Sequence, residues 1–189
     1  MLSAQGSPAR FLSRPDGHCN LQCVSFKCRN PIIDGTAFTY LDEGAYGVIF
    51  ADTSLQRVRK CFYRRHPDAR NSESVFSSEV RAYKIAMDRA SLRRLVPEFF
   101  GIVPTQIILD DCRKDISHEF IPGLAFETAL VSQDFVKLRT VNDVERERIV
   151  ELFTSEGINY LEDASVLLQR NCVVKVIDFA VEGFQLDQC

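Results

Sequence analysis

The sequence predicts an α+β fold: a five-stranded antiparallel sheet with one inserted helix, followed by a much reduced helical lobe. Three observations carry that prediction. Short runs rich in β-branched and aromatic residues, parted by turn residues, occupy Ala37 to Tyr63. A single long segment with helical periodicity follows, from Ser72 to Ala90. Beyond it stand a capped helix and a terminal hairpin, Val166–Leu168 against Val173–Ile177 around Gln169-Arg170-Asn171. The organisation is therefore an irregular segment over residues 1–30, a sheet lobe over 31–121 and a smaller lobe over 122–189.

The elements follow in order. Ala37–Leu41 reads as the first strand. Glu43-Gly44-Ala45-Tyr46-Gly47-Val48-Ile49-Phe50 comes next, with two glycines three apart, an aromatic between them and a β-branched pair behind. It reads as a glycine-rich turn into a second strand, open enough for backbone N–H groups to approach an anion. Asp52-Thr53-Ser54 makes a turn into a third strand, Arg57–Tyr63, with Val58, Lys60 and Phe62 on one face and Arg59 and Cys61 on the other. On the helix, Val75, Phe76, Glu79, Tyr83, Ala86 and Met87 share one stripe, so Glu79 is an acid on an apolar face. Pro97 ends the helical region, and Phe99–Val103 and Gln106–Leu109 read as strands. His118–Gly123 reads as a short strand closed by a breaker pair where the lobes join. A helix is expected from Ala125 to Val131. Asn142 with Glu145 three residues later starts another, which carries Ile149, Leu152 and Phe153 on one face and stops at Gly157.

The chain has 189 residues, 46% of them apolar, which places it among chains that fold around a core. No apolar run reaches the roughly 18–20 residues of a membrane span. A net charge of −3 argues against non-specific nucleic-acid binding. Of the seven cysteines, Cys61, Cys112 and Cys172 lie in strand-like surroundings and read as small buried hydrophobes. Cys19, Cys23 and Cys28 cluster beside His18, but their spacing departs from the Cys-x2-Cys pair that structural zinc uses. The cysteines favour a reducing, cytoplasmic compartment. Residues 1–15 carry Arg10, Arg14, Ser3, Ser7 and Ser13 and no acid, a composition shared by organellar transit peptides and plain irregular termini.

The glycine turn, the strand lysine Lys60, the helix glutamate Glu79 and the run Val174-Lys175-Val176-Ile177-Asp178-Phe179-Ala180, in that order, resemble the protein-kinase superfamily. Leu95-Val96-Pro97-Glu98-Phe99-Phe100-Gly101 is similar to that family's entry into its fourth strand, and His118–Gly123 to its interlobe hinge. The resemblance covers roughly residues 36 to 184. It implies ATP and Mg²⁺ as cofactors and a protein as substrate or partner. Gly44, Ala45, Tyr46 and Gly47 would cover the phosphates, and Lys60 would reach the α and β phosphates. Glu79 would hold Lys60, Asp178 would bind Mg²⁺, and the backbone of Phe120 and Ile121 would meet adenine.

Three features depart from the family pattern. Asp42 stands at the first glycine of the loop. Counting back from Asp178 puts Ser165 at the catalytic-loop Asn and Tyr160 at the catalytic Asp. Glu162 and Asp163 are the nearest acids, and Asp163 is the expected base or second metal ligand. Eleven residues follow Asp178, with Ala180 in place of a glycine, so neither an activation segment nor a full helical lobe is expected. Two functions result: a minimal ATP- and Mg²⁺-dependent Ser/Thr protein kinase, or a pseudokinase that binds nucleotide or protein without catalysis. Small kinases of this layout are known among effectors that bacteria deliver into host cells, and likeness to them implies action in a host cytoplasm.

Overall fold

The computed structural model describes residues 30–64, 69–131 and 134–182. The Cys19, Cys23 and Cys28 cluster and the basic segment 1–15 lie outside the described residues. The elements are β1 (Ile32–Ile33), β2 (Thr39–Gly44), β3 (Gly47–Asp52), β4 (Arg57–Tyr63), α1 (Ala69–Asp88), α2 (Ala90–Arg93), β5 (Phe99–Val103), β6 (Ile108–Leu109), β7 (Phe120–Ala129), β8 (Val136–Lys137), α3 (Asp143–Ser155), β9 (Ser165–Gln169) and β10 (Cys172–Ile177). The class is α+β. A large sheet has the order β5-β7-β4-β3-β2-β1-β6, and a small one the order β10-β9-β8.

The sheet differs from expectation in three places. It has seven strands, not five. The additional edge is made by β1 and β6, which pair Ile32 with Leu109 and Ile33 with Ile108. Two-residue strands carry no periodicity to detect. Residues 125–131 do not form a helix. They belong to β7 and the strand exit, with β7 paired on one side to β4 and on the other to β5. β7 is paired on both edges, and its stretch Leu124-Ala125-Phe126-Glu127-Thr128-Ala129 lacks strict polar–apolar alternation, so periodicity does not separate it from a helix. Finally, the lobe boundary at residues 121/122 falls inside β7. Pro122 and Gly123 sit in a bulge where the register passes from Tyr63–Phe120 to Cys61–Ala125, so the missing proline N–H falls where the ladder is already broken. Gly123 takes φ +78° there, and its N–H donates to Thr105 Oγ1 at 2.6 Å.

Two apolar clusters hold the fold. The larger joins β4, β7, α1, α3 and the small sheet through Phe62, Phe76, Tyr83, Phe126, Phe153 and Phe179. The large sheet and the C-terminal elements therefore share one core. The smaller lies across the sheet, around Ile33, Phe38, Phe50, Tyr63, Ile108 and Phe120. Cys61 is buried in it, but Cys112 and Cys172 are exposed, against expectation. Cys112 lies in the turn after β6, and Cys172 opens β10 beside the hairpin turn. The Arg170-Asn171 turn has positive φ at both residues, which suits a two-residue hairpin.

The α3 cap forms as expected, with the Glu145 N–H donating to the Asn142 side chain at 3.0 Å. The Glu145 carboxylate instead accepts from the Val173 N–H at 2.6 Å, tying α3 to β10. Lys175 Nζ donates to the carbonyls of Arg94 and Val96, each at 2.9 Å, and the Val176 N–H to that of Leu95 at 2.7 Å. These bonds fasten β10 to the chain entering β5. Among the described residues, no helix is long and apolar enough to cross a membrane.

On the face away from the cleft, Arg59 donates to Glu127 Oε1 from Nε at 2.9 Å and Nη2 at 2.5 Å, and Arg57 donates to Oε2 at 2.8 Å. Glu127 is 3% exposed, so removing its carboxylate strands the Arg59 charge in the interior. Glu127→Ala is expected to cost about 3–5 kcal/mol in denaturant unfolding. A loss below 1 kcal/mol would show that solvent reaches Arg59.

Candidate functional site

The β2–β3 turn hangs over a cleft between the large and small sheets. Gly47 is required by packing. A Cβ there would lie 2.3 Å from the backbone oxygen of Cys61 on β4, and neither strand can give way. Gly44 is different, because a Cβ there would meet only the Gly47 oxygen, at 3.9 Å. Lys60 pairs in register with Ile49 on β3 and Phe126 on β7, which turns its side chain into the cleft. Glu79 on α1 receives Lys60 Nζ on both carboxylate oxygens, at 2.7 and 2.8 Å.

Both members of that pair are nearly buried, and the cleft sets their charges. Burial disfavours the Lys60 ammonium, but the carboxylates of Glu79 and Asp178 outweigh it and raise the Lys60 pKa. Burial raises Glu79, opposed by Lys60 and assisted by Asp178. Asp178 thus makes itself felt at both groups. It follows β10 with φ +59°, a left-handed conformation that Asp tolerates better than most residues. Phe179 beyond it is buried, with its ring 4.7 Å from Tyr83 and 5.4 Å from Phe153. Burial, then Asp178 and Glu79, raise the Tyr83 phenol well above its usual range, so it stays neutral.

The cleft comprises two cavities, of about 470 and 330 Å³, whose walls share Asp42, Ile49, Lys60, Glu79, Lys137 and Asp178. The larger is apolar on both sides, with Leu41, Ile49 and Val58 above and Leu130 and Ile177 among the other walls. The smaller lies under Gly44, Ala45 and Tyr46 and reaches Tyr160, Asp163 and Asp178. Lys60, Glu79, Asp163, Asp178 and the glycine turn therefore line one continuous space.

Phe120 and Ile121 do not. Phe120 stacks on Tyr63, ring centres 5.3 Å apart, in the smaller core, and the Ile121 carbonyl accepts from Thr105. Because β7 runs on to Ala129, the strand exit Thr128–Val131 lines the cleft in their place.

Asp163 is oriented by neighbours that sequence alone did not assign. Its Oδ2 accepts from the Tyr160 hydroxyl at 2.7 Å, and its backbone oxygen accepts from Lys137 Nζ at 2.8 Å. That bond to Asp163, then burial and the charges of Asp163 and Glu162, push the Tyr160 phenol pKa upward. Burial first and Asp163 second do the same to Tyr46. Lys137 lines both cavities from β8, a strand too short to leave a signal. Tyr83 was legible as a partner of Glu79, since residues four apart share a helix face.

Besides Glu79, which is engaged by Lys60, the carboxylates lining the cleft are Asp42 and Glu43 at the turn and Asp163 and Asp178 below it, and Ser165 adds a hydroxyl. Among the described residues, the one trio near enough to share an ion is Asp110, Asp111 and Cys112, outside the cleft. There Asp110 Oδ1 is occupied in capping a turn, accepting from the N–H groups of Cys112 and Lys114. A pair of carboxylates fits Mg²⁺, which binds through one or two carboxylates plus substrate phosphates. No protein-family model, curated protein sequence or solved structure matches this chain.

The two glycines should separate fold from site. Gly47→Ala is expected to lose about 1–3 kcal/mol or more in thermal or denaturant unfolding. Gly44→Ala should stay within about 0.5 kcal/mol of the parent. Equal losses would mean that the turn does not approach β4 as described.

Proposed function

We propose that the cleft binds ATP with Mg²⁺ and transfers the terminal phosphoryl group to a Ser or Thr hydroxyl of a protein. The observation that supports this most is the Lys60–Glu79 pair set in one cleft with Asp178. Phosphoryl transfer needs positioned charge more than covalent chemistry. Lys60, held by Glu79, would meet the inner phosphates. Asp178 would hold Mg²⁺, which supplies neutralisation of the phosphate charge. The apolar cavity, of a size common in ligand sites, would take the base beside Thr128–Val131. Lys137 would add a cation on the cleft floor.

Asp163 is the base in this reading. Tyr160 stands where the resemblance places a catalytic acid, and its hydroxyl fixes Asp163 Oδ2. The other carboxylate oxygen is left to receive a substrate proton. A reaction that consumes ATP needs a compartment that supplies it, so the cytoplasm, of its own cell or of a host, is the proposed place of action.

A second reading, a binding module without transfer, is favoured by the turn tip. Asp42 and Glu43 put carboxylates beside the phosphate position, and Asp42 Oδ1 accepts from the Glu43 N–H at 2.8 Å, using a donor that a phosphate would otherwise take.

Nucleotide binding and γ-phosphate transfer by the purified protein, with Mg²⁺ or Mn²⁺, distinguish the two. Asp178→Ala is expected to stay folded and lose metal-dependent binding. Asp163→Asn should lower transfer by about 10²–10⁴-fold and leave nucleotide affinity nearly unchanged. Metal-dependent binding that survives in Asp178→Ala contradicts the assignment. Wild-type protein that binds ATP but phosphorylates neither itself nor a cell extract supports the binding module.

A further inference from the structure

The chain just beyond Asp178 crosses between the loop before β9 and helix α1, and it is bonded to both. On the loop side, the Tyr160 N–H donates to the Ala180 oxygen at 3.1 Å, the Ala180 N–H to the Tyr160 oxygen at 3.0 Å, and the Asn159 N–H to the Val181 oxygen at 3.0 Å. On the helix side, Ser78 Oγ donates to the Glu182 oxygen at 3.3 Å and accepts from the Glu182 N–H at 3.2 Å. A hydroxyl can do both at once.

Ser78 has another option that it does not use. Inside a helix, a serine hydroxyl commonly bonds a carbonyl three or four residues back in its own helix. Ser78 instead reaches both backbone groups of a residue 104 positions away, and it is 5% exposed. Its place in the helix matters. The next residue, Glu79, holds Lys60, and Tyr83 packs on Phe179, the residue after Asp178. Asp178 is therefore followed by two anchors on α1: the Tyr83 ring at Phe179 and the Ser78 hydroxyl at Glu182.

We propose that Ser78 is a positioning residue, whose hydroxyl couples α1 to the segment carrying Asp178. One helix then sets both the Lys60–Glu79 pair and the Asp178 carboxylate. A shift of α1 that parts Lys60 from Glu79 also displaces Asp178. The consequence for metal binding rests on the nucleotide reading above; the coupling itself does not.

The test uses Ser78→Ala, which removes the hydroxyl, and Glu182→Pro, which removes the N–H donor without touching α1. In Ser78→Ala, amide hydrogen exchange at Glu182 should quicken by about 3–10-fold, the worth of one or two modest hydrogen bonds, with β9 amides unchanged. ATP affinity in Mg²⁺ should fall by a similar factor, and affinity without metal should stay the same. A general loss of structure would lower both. Glu182→Pro should show the same metal-dependent loss and quicker exchange at Ala180. The double variant should be no worse than either single one, because both remove one contact. Unchanged exchange at Glu182 in folded Ser78→Ala overturns the proposal, as do additive losses in the double variant. If the wild type binds no ATP with or without Mg²⁺, the nucleotide reading falls, and exchange with the double-variant comparison in thermal unfolding decides the coupling.

Discussion

The Lys60–Glu79 ion pair is the interaction on which the architecture turns. Each partner sits on an otherwise core-facing stripe, one on a central strand and one on a helix. A buried charge without a partner costs several kcal/mol, so α1 can dock on the large sheet only in the orientation that brings the two together. That docking presents Tyr83 to Phe126 and Phe179 and closes the larger core. It also leaves a cleft on the far side of the pair, because two charged heads and the neighbouring Asp178 cannot be covered by apolar side chains.

Backbone constraints complete the cleft. Gly47 lets β3 and β4 approach closely enough to carry the turn over Lys60. The left-handed turn at Asp178 ends β10 and separates its carboxylate from the buried Phe179 beside it. Conformations of that kind persist where the surroundings fix them, and they gather at functional sites. Here the surroundings are explicit: Phe179 is held between the rings of Tyr83 and Phe153, and Ala180 is bridged to Tyr160. Lys175 and Val176, bonded to the chain before β5, keep the small sheet in place beneath the large one.

Much of the site was legible because it is made of residues whose pattern contradicts their surroundings. Glu79 on an apolar stripe, Lys60 on a core-facing strand and paired glycines before a β-branched run each break a local rule, and all three line the cleft or its roof. The fold was legible where periods are long, as in α1, α3 and the closing hairpin. It was not legible in β7. Its stretch Leu124–Ala129 does not alternate strictly, because polar Glu127 and Thr128 are buried beside apolar neighbours, and Pro122-Gly123 imitates a terminator while lying in a bulge. The error over Phe120 and Ile121 followed from that one misplacement. Lys137 and the strand exit at Thr128–Val131 were missed because their role comes from tertiary placement of short segments, which carries no periodic trace.

The central claim is that Lys60, Glu79 and Asp178 form one nucleotide-dependent site, and a structure determined with Mg²⁺ and a non-hydrolysable ATP analogue tests it most directly. The account predicts phosphates against Lys60, the metal at Asp178, the base beside Thr128–Val131, and the Lys60–Glu79 bond intact. A nucleotide bound elsewhere, or Lys60 and Glu79 parted by more than about 6 Å, too far for a hydrogen bond, would contradict it.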